Sequence, residues 1–117
     1  TEKTLKEGVD QIRKPYEGIS DISVKDKSLL FNTDLVETLE FDNLISQALT
    51  TMDSAYNRRE SRGAHAREDF TKRDDKNFMK HTLAWQKGKK VEIKYRDVHS
   101  RTLTNDVQYF PPKERVY

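Results

Sequence analysis

The sequence predicts a mainly α-helical chain with a small β part, an α+β fold. An incomplete helical bundle should precede an antiparallel β-hairpin and an extended tail. Three observations carry this prediction: helical spacing of apolar residues in the first half, strand-like alternation on both sides of a glycine, and a Pro-Pro pair near the end. We divide the chain into a helical bundle segment at 1–62, a charged connector at 63–77, and the hairpin with its tail at 78–117.

The composition predicts a small core and excludes several functional classes. Of the 117 residues, 36% are charged and 33% are hydrophobic, and 22 basic residues nearly balance 20 acidic ones. A net charge of +2 lacks the basic excess typical of nucleic-acid binders, so no nucleic-acid partner is expected. The chain contains no cysteine, which excludes disulfides and Cys-zinc sites. No apolar run approaches the ~20 residues of a membrane helix, so we expect a soluble chain.

The first predicted helix covers residues 1–20. Pro15 should kink this helix or end it early, and Gly18 can terminate it. The sequence opens within helical character, so we expect that it derives from a longer chain with a further helix upstream. The apolar residues recur at steps of three and four and form one stripe: Leu5, Val9, Ile12, Tyr16 and Ile19.

The second predicted helix has the most regular pattern and follows a connector at 20–31. Asn32 to Asp34 are N-cap residues, and Glu37 has capping-box spacing from Asp34. We expect the helix to run from 33 to about Arg62, roughly 45 Å, and to end at a left-handed Gly63. Two helices bury such a stripe poorly, so a third helix is expected. The stripe comprises Phe41, Leu44, Ile45, Ala48, Leu49, Met52, Ala55 and Tyr56.

The segments NFMKHTLAW and VEIKYRDV flank QKGKK and predict an antiparallel hairpin. A competing interpretation is a short helix at 74–86 with Phe78, Thr82 and Trp85 on one face; the hairpin is favoured. Pro111 and Pro112 then impose an extended, polyproline-like path on the tail. Two sets of alternating side chains support the strands: Met79, His81, Leu83 and Trp85 in the first, and Val91, Ile93 and Tyr95 in the second.

The stretch NRRESRGAHAREDF, residues 57–70, has the density of ionisable groups expected of an active site. One interpretation is an anion site, in which arginines grip a carboxylate or phosphate and His65 acts as an acid or base. The other is structural, with Arg–acid pairs that tie a helix end to an adjoining domain. The structural interpretation is favoured, because neighbouring acids would compete with any anionic ligand. These acids are Glu60, Glu68 and Asp69.

Other chemical signals are weaker. The histidines His65, His81 and His99 lack the short spacing of zinc ligands, so no metal site is expected. The four glycines are scattered, which excludes a phosphate-binding fingerprint. Ser61, His65 and Asp69 have the residue types of a catalytic triad, but spacing alone does not indicate one. The basic run KGKK with nearby aromatic residues leaves an alternative function open: a free-standing helical module whose hairpin binds RNA or protein.

Four stretches carry a family resemblance: NTDLVETLEFDN, RRESRGAHARED, the KHTLAW and VEIKYRDV pair, and PPKERVY, in that order. Together they resemble the C-terminal region of the succinate dehydrogenase flavoprotein subunit, a close relative of the fumarate reductase flavoprotein. The resemblance covers essentially the whole chain, and HAREDF and KHTLAW favour the alphaproteobacterial or mitochondrial type. Two positions depart from the family pattern: Thr71, where the family usually has proline, and Pro15 within the first helix.

The resemblance implies a spectrin-repeat-like helical domain, incomplete here, followed by a small β-containing tail. In the family this region packs against the flavin and capping domains of the same chain. The parent enzyme oxidises succinate to fumarate with covalently bound FAD and passes electrons through an iron–sulfur subunit to quinone. It lies on the cytoplasmic or matrix face of the bacterial or mitochondrial inner membrane.

The family's flavin-binding and catalytic motifs match no position in this sequence. The resemblance therefore implies a region without catalytic, cofactor-binding or metal residues, and without a cofactor of its own. Its expected role is domain packing. We predict that five residues pin the end of the second helix to the rest of the flavoprotein: Arg58, Arg59, Arg62, His65 and Arg67.

Overall fold

The computed structural model describes residues 1–113 and confirms the α+β class. Two long helices are followed by one short helix and a two-stranded antiparallel sheet. In chain order the elements are α1 (Glu2–Glu17), a 3₁₀ turn (Gly18–Asp21), α2 (Thr33–Asn57), α3 (Asp75–Phe78), β1 (Lys80–Lys87) and β2 (Lys90–Asp97).

Helix α1 is fixed at its start by a capping box. The Thr1 hydroxyl accepts from the Thr4 amide at 3.4 Å, and the Thr4 hydroxyl accepts from the Thr1 amino group at 2.9 Å. Pro15 lies inside the last turn and does not end the helix, which stops before Gly18 as predicted. Gly18 has a φ of −83°, so the helix ends without a left-handed residue.

Helix α2 begins where the sequence predicts but ends five residues earlier than Arg62. The Asn32 side chain caps it by accepting from the Leu35 amide at 2.9 Å. The predicted C-terminus near Arg62 is wrong, because the backbone becomes extended at Arg58. Gly63 does have a left-handed φ of 58°, yet it serves a tight turn in which Arg62 and His65 exchange two backbone hydrogen bonds.

The core is as small as the composition predicts. Three apolar side chains are buried between α1 and α2: Val9, Ile45 and Leu49. Gly8 faces α2, and a Cβ at this position would meet the end of the Met52 side chain. A charged contact reinforces the packing, with Arg13 donating to the carboxylate of buried Asp53 at 3.2 Å.

The hairpin prediction is confirmed, and its two strands join through a two-residue turn at Gly88 and Lys89. Gly88 has a φ of 58°, the conformation that such turns require. The alternative helix at 74–86 is wrong over the strand, although one helical turn, α3, precedes it. The register pairs Leu83 with Lys94 and Ala84 with Ile93, so the apolar sets of the two strands lie on opposite faces.

The tail beyond β2 forms bends and a turn but no helix or strand between residues 98 and 113. Arg73 donates to the Lys113 carbonyl at 2.9 Å and anchors the tail's end near the connector. The final residues of the predicted extended tail, 114–117, lie outside the described residues. Among the helices of residues 1–113, none has both the length and the apolarity to cross a bilayer.

Candidate functional site

The ionisable stretch 57–70 lies where the end of α2, the start of α1 and the start of β1 meet. We call the network formed by Arg58, Glu60, Arg62, Arg67 and Asp69 the arginine cluster. The tight turn at Gly63 reverses the chain, and the Ser61 amide donates to the Lys72 carbonyl at 3.2 Å. These contacts fold the stretch back on itself and bring its charges together.

Glu60 is the centre of the arginine cluster and is fully buried. One carboxylate oxygen accepts from Arg58 Nη1 and, at 2.9 Å, from Arg62 Nε. The other accepts from Arg62 Nη2 at 3.1 Å and from the Asp74 amide at 2.9 Å. Burial alone would raise the pKa of Glu60, but these hydrogen bonds outweigh it and hold the pKa below its usual range.

Arg58 joins the end of α2 to the hairpin. Its guanidinium donates to the carbonyls of Phe78, at 3.1 Å, and Lys80, and to the hydroxyl of Thr82 at 3.1 Å. It also lies over the Phe78 ring, 5.6 Å from the ring centroid. Glu60 is a further acceptor for Arg58. The donors of Arg58 are therefore directed at groups of this chain rather than at an open binding surface.

Arg67 is buried and closes the C-terminus of α2. Its Nη1 donates to the carbonyls of Ala55, Tyr56 and Arg58, each at 3.4 Å. A cation at this end of a helix compensates the carbonyls that have no partner in the helix. The other side of the guanidinium forms a bidentate pair with Asp69: Nε donates to Oδ1 and Nη2 donates to Oδ2, each at 2.8 Å.

Asp69 extends the cluster to α1. The hydrogen bonds from Arg67 hold the pKa of Asp69 well below its usual range and raise the pKa of Arg67. The same carboxylate accepts from the Glu2 amide in the first turn of α1, where a negative charge is favourable. The cluster therefore links α1, α2 and β1 through charge-assisted hydrogen bonds.

The other two predicted interface residues are placed differently. The His65 Nε2 donates to the Arg58 carbonyl at 2.9 Å, so that nitrogen is engaged with the backbone. The Arg59 side chain is 54% exposed and pairs with Glu2 at 2.7 Å on the surface. Arg58, Arg62, His65 and Arg67 thus contact one shared network, whereas Arg59 points to its edge.

The residue types of a catalytic triad do not form one among residues 1–113. The Ser61 hydroxyl donates to the Phe70 carbonyl at 2.8 Å and accepts from the Arg67 amide at 2.8 Å. His65 and Asp69 contact the other partners described above. Across the described residues, every buried side-chain nitrogen and oxygen has a hydrogen-bond partner. This degree of satisfaction is typical of a structural network.

Several partners in the network were not singled out from the sequence. Thr82, Asp75 and Glu2 lie 24, 13 and 57 residues from the arginines that contact them. Only the folding of the hairpin and α1 onto the end of α2 brings them close. The only signal in the sequence was the position of acidic residues near several arginines. From it we predicted that Glu60 competes with an anionic ligand for the arginines, not that Glu60 is the buried centre of the network.

The basic hairpin is partly neutralised by acidic residues. Glu92 accepts from Lys87 at 2.8 Å and Lys94 at 2.9 Å, and these contacts lower its pKa to about 2. Lys89 pairs with Glu17 of α1. The free-standing RNA-binding alternative gains no support from this arrangement or from the comparisons that follow.

Comparisons with known proteins give one consistent family. The family model described as fumarate reductase flavoprotein C-term matches residues 1–117. A mitochondrial succinate dehydrogenase [ubiquinone] flavoprotein subunit from Oryza sativa subsp. japonica is 53% identical and covers 100% of this chain and 19% of its own length. A succinate dehydrogenase flavoprotein subunit from Rickettsia bellii is 50% identical, with coverages of 100% and 20%.

Solved structures agree with the sequence relatives. A structure of E. coli quinol fumarate reductase superposes with a TM-score of 0.83 at 35% identity, over 100% of this chain and 19% of that one. The chain therefore spans about a fifth of the length of the relatives it matches.

Proposed function

The chain belongs to the fumarate reductase flavoprotein C-terminal family, and from this we propose that it is the structural C-terminal region of a flavoprotein that oxidises succinate to fumarate. The names of its relatives support that activity for the parent protein. One observation supports a structural role for the region itself: the groups that resemble a catalytic site are bonded to partners within the chain.

We propose further that FAD and the catalytic groups are held by residues outside this chain. A dinucleotide site needs glycines grouped in one loop between a strand and a helix. Here the four glycines have separate settings: Gly8 against Met52, Gly18 at a helix end, and Gly63 and Gly88 in different turns. These residues do not fit a dinucleotide, and no step of the succinate reaction is assigned to them.

The proposed structural role is based on the elements that the arginine cluster connects. Arg67 closes α2, Arg58 fastens α2 to β1, and Asp69 fastens the connector to α1. We call α1, α2, the connector and β1, held together in this way, the block. Such a block can support neighbouring domains in a fixed relation to each other. We propose that Arg58, Arg62 and Arg67 act by preserving this block. Exposed Arg59, at the edge of the arginine cluster, is the predicted interface residue best placed to contact another domain.

The partners proposed for the block are the flavin and capping domains of the same polypeptide, and the iron–sulfur subunit in the assembled complex. The complex would lie on the cytoplasmic or matrix face of the inner membrane. Support comes from the mitochondrial and quinol-linked names of the relatives and from their length, since about four-fifths of each relative lies outside the matched region.

The test uses a full-length flavoprotein subunit that contains this region. Arg67→Ala should reduce the yield of assembled, flavin-containing enzyme, because three carbonyls and the Asp69 carboxylate each lose a donor. Turnover with succinate, divided by bound flavin, should stay unchanged. Arg96→Ala, at an exposed arginine of β2, is the matched control and should alter neither quantity. A large loss of turnover with normal flavin content and normal assembly would overturn the structural role.

A further inference from the structure

The loop before α2 presents three consecutive large apolar side chains to solvent. Leu29, Leu30 and Phe31 are 97%, 81% and 99% exposed. We call these three residues the apolar knob. A single exposed leucine is ordinary, but a contiguous apolar surface on a soluble domain usually marks a contact site.

The polar side chains around the apolar knob bond to the loop's own backbone and hold the loop in shape. The Asp34 carboxylate accepts from the amides of Lys25 and Asp26 at 2.8 and 3.2 Å. Asp26 accepts from the Ser28 amide at 2.8 Å, and the Asn32 side chain donates to the carbonyls of Asp26 and Ser28 at 3.0 Å. The loop is thus ordered by its polar groups, while its three large apolar side chains are left in solvent.

The backbone at Phe31 adds a second, independent sign. Phe31 has a φ of 50°, a left-handed conformation that bulky side chains seldom adopt. Such strain persists where the surroundings impose it, and it concentrates at functional sites. Here it points a fully exposed aromatic side chain outward at the tip of the loop.

The apolar surface continues along the first turns of α2. Leu35, Val36 and Leu39 are 43%, 53% and 62% exposed. They fall within one arc of the helix, because Leu39 lies four residues after Leu35 and three after Val36. Helix α1 does not cover them, since its buried contact is made further along α2, where Ile45 and Leu49 are buried. The knob and this arc together place six exposed apolar side chains within residues 29–39.

We propose that the apolar knob and the adjoining arc of α2 form the docking surface for the remainder of the flavoprotein chain. This inference rests on the proposed function and names the surface that it uses. Exposed apolar side chains gain free energy when an apolar partner covers them. The matched relatives carry about four-fifths of their length outside the matched region, which can supply that partner. The interface lies at the start of α2, at the opposite end of the helix from the arginine cluster.

Hydrogen exchange gives a test without substitution. Amides at 29–36 should exchange at least about tenfold more slowly in the full-length subunit than in the 117-residue chain, because docking removes local opening. Equal exchange rates in the two proteins would overturn the proposal.

A substitution gives the second test. Phe31→Asp should lower the Tm of the full-length subunit by several degrees. It should leave the Tm of the 117-residue chain unchanged or slightly higher, since the side chain is exposed there and Asp tolerates a φ of 50° better than Phe does. Leu103→Asp is the control, because Leu103 is 94% exposed and lies outside the patch. An equal Tm shift for both variants would contradict the docking role. Self-association of the 117-residue chain that Phe31→Asp abolishes, together with an unshifted full-length subunit, would assign the surface to a second copy instead.

These outcomes are separable from those for the proposed function. If Phe31→Asp leaves the full-length subunit intact while Arg67→Ala behaves as expected, the docking inference alone fails. If the full-length subunit binds no flavin or does not oxidise succinate, the proposed function fails, and the exchange comparison still decides whether the upstream polypeptide covers the knob.

Discussion

Replacing Glu60 with alanine should lower the free energy of unfolding by about 3–5 kcal/mol, the range for removing one partner of a buried ion pair. The carboxylate is fully buried and accepts four hydrogen bonds. Its removal takes one acceptor from each of two guanidinium groups and from the Asp74 amide, and it leaves the two positive charges without their shared buried carboxylate. Since a small domain is stable by about 5–15 kcal/mol, the loss is a large part of the total.

Glu60→Gln separates charge from shape. Each carboxylate oxygen accepts from two donors: one from Arg58 and Arg62, the other from Arg62 and the Asp74 amide. A glutamine has a donor in place of one oxygen, so either orientation sets its NH₂ against two N–H groups. We expect this nearly isosteric variant to be destabilised by at least about 1.5–3 kcal/mol, the value of one hydrogen bond to a charged group.

The assay is urea unfolding of the 117-residue chain, followed by circular dichroism at 222 nm. The control is Glu92→Ala, which also removes a carboxylate with two basic partners, but on the exposed hairpin. That variant should scarcely move the unfolding midpoint, because exposed ion pairs contribute little. If Glu60→Ala shifts the midpoint no further than Glu92→Ala, the view of Glu60 as the buried centre of the cluster is refuted.

Three further outcomes are expected. Leu49→Ala should reduce stability by about 2–5 kcal/mol in the same urea assay, while exposed Leu39→Ala should have little effect. The stability gap between the unsubstituted chain and Glu60→Gln should narrow below about pH 4.5, since a lowered folded-state pKa gives stability that is lost as the pH falls; a constant gap would contradict this. Burial raises the pKa of Asp53 and Arg13 opposes the rise, so Arg13→Gln should raise it further in an NMR titration; an unchanged or lower pKa would contradict the pairing.

The parts of the fold that depend on local sequence were predictable. The cap at Asn32, the helical stripes and the glycine turn at 88 are each encoded within a few residues, and the structure has all three. The end of α2 was not, because Arg58 leaves the helix to reach carbonyls of Phe78 and Lys80, some twenty residues away. A helix end fixed by tertiary contacts leaves no signal in the local pattern.

The candidate site was predictable in kind but not in arrangement. The acids that lie among the arginines indicated paired charge, yet composition could not show that Glu60 is buried or that Arg67 closes α2. The faces of the hairpin were also hidden, because strand register depends on the turn length. The resemblance to the family, predicted as the alphaproteobacterial or mitochondrial type, is confirmed, whereas the segment boundaries and the interface residues stay predictions.

The most direct test of the central claim is the turnover of the full-length flavoprotein carrying His65→Gln, measured with succinate and divided by bound flavin. His65 contacts the arginine cluster through the Arg58 carbonyl and is the nearby residue best suited to acid–base catalysis. If the cluster is structural, turnover per flavin and its pH profile should change by less than about twofold, although a general acid or base contributes about 10²–10⁴ to a rate. A hundredfold loss at normal flavin content and normal assembly would contradict the claim and place the residue in the active site.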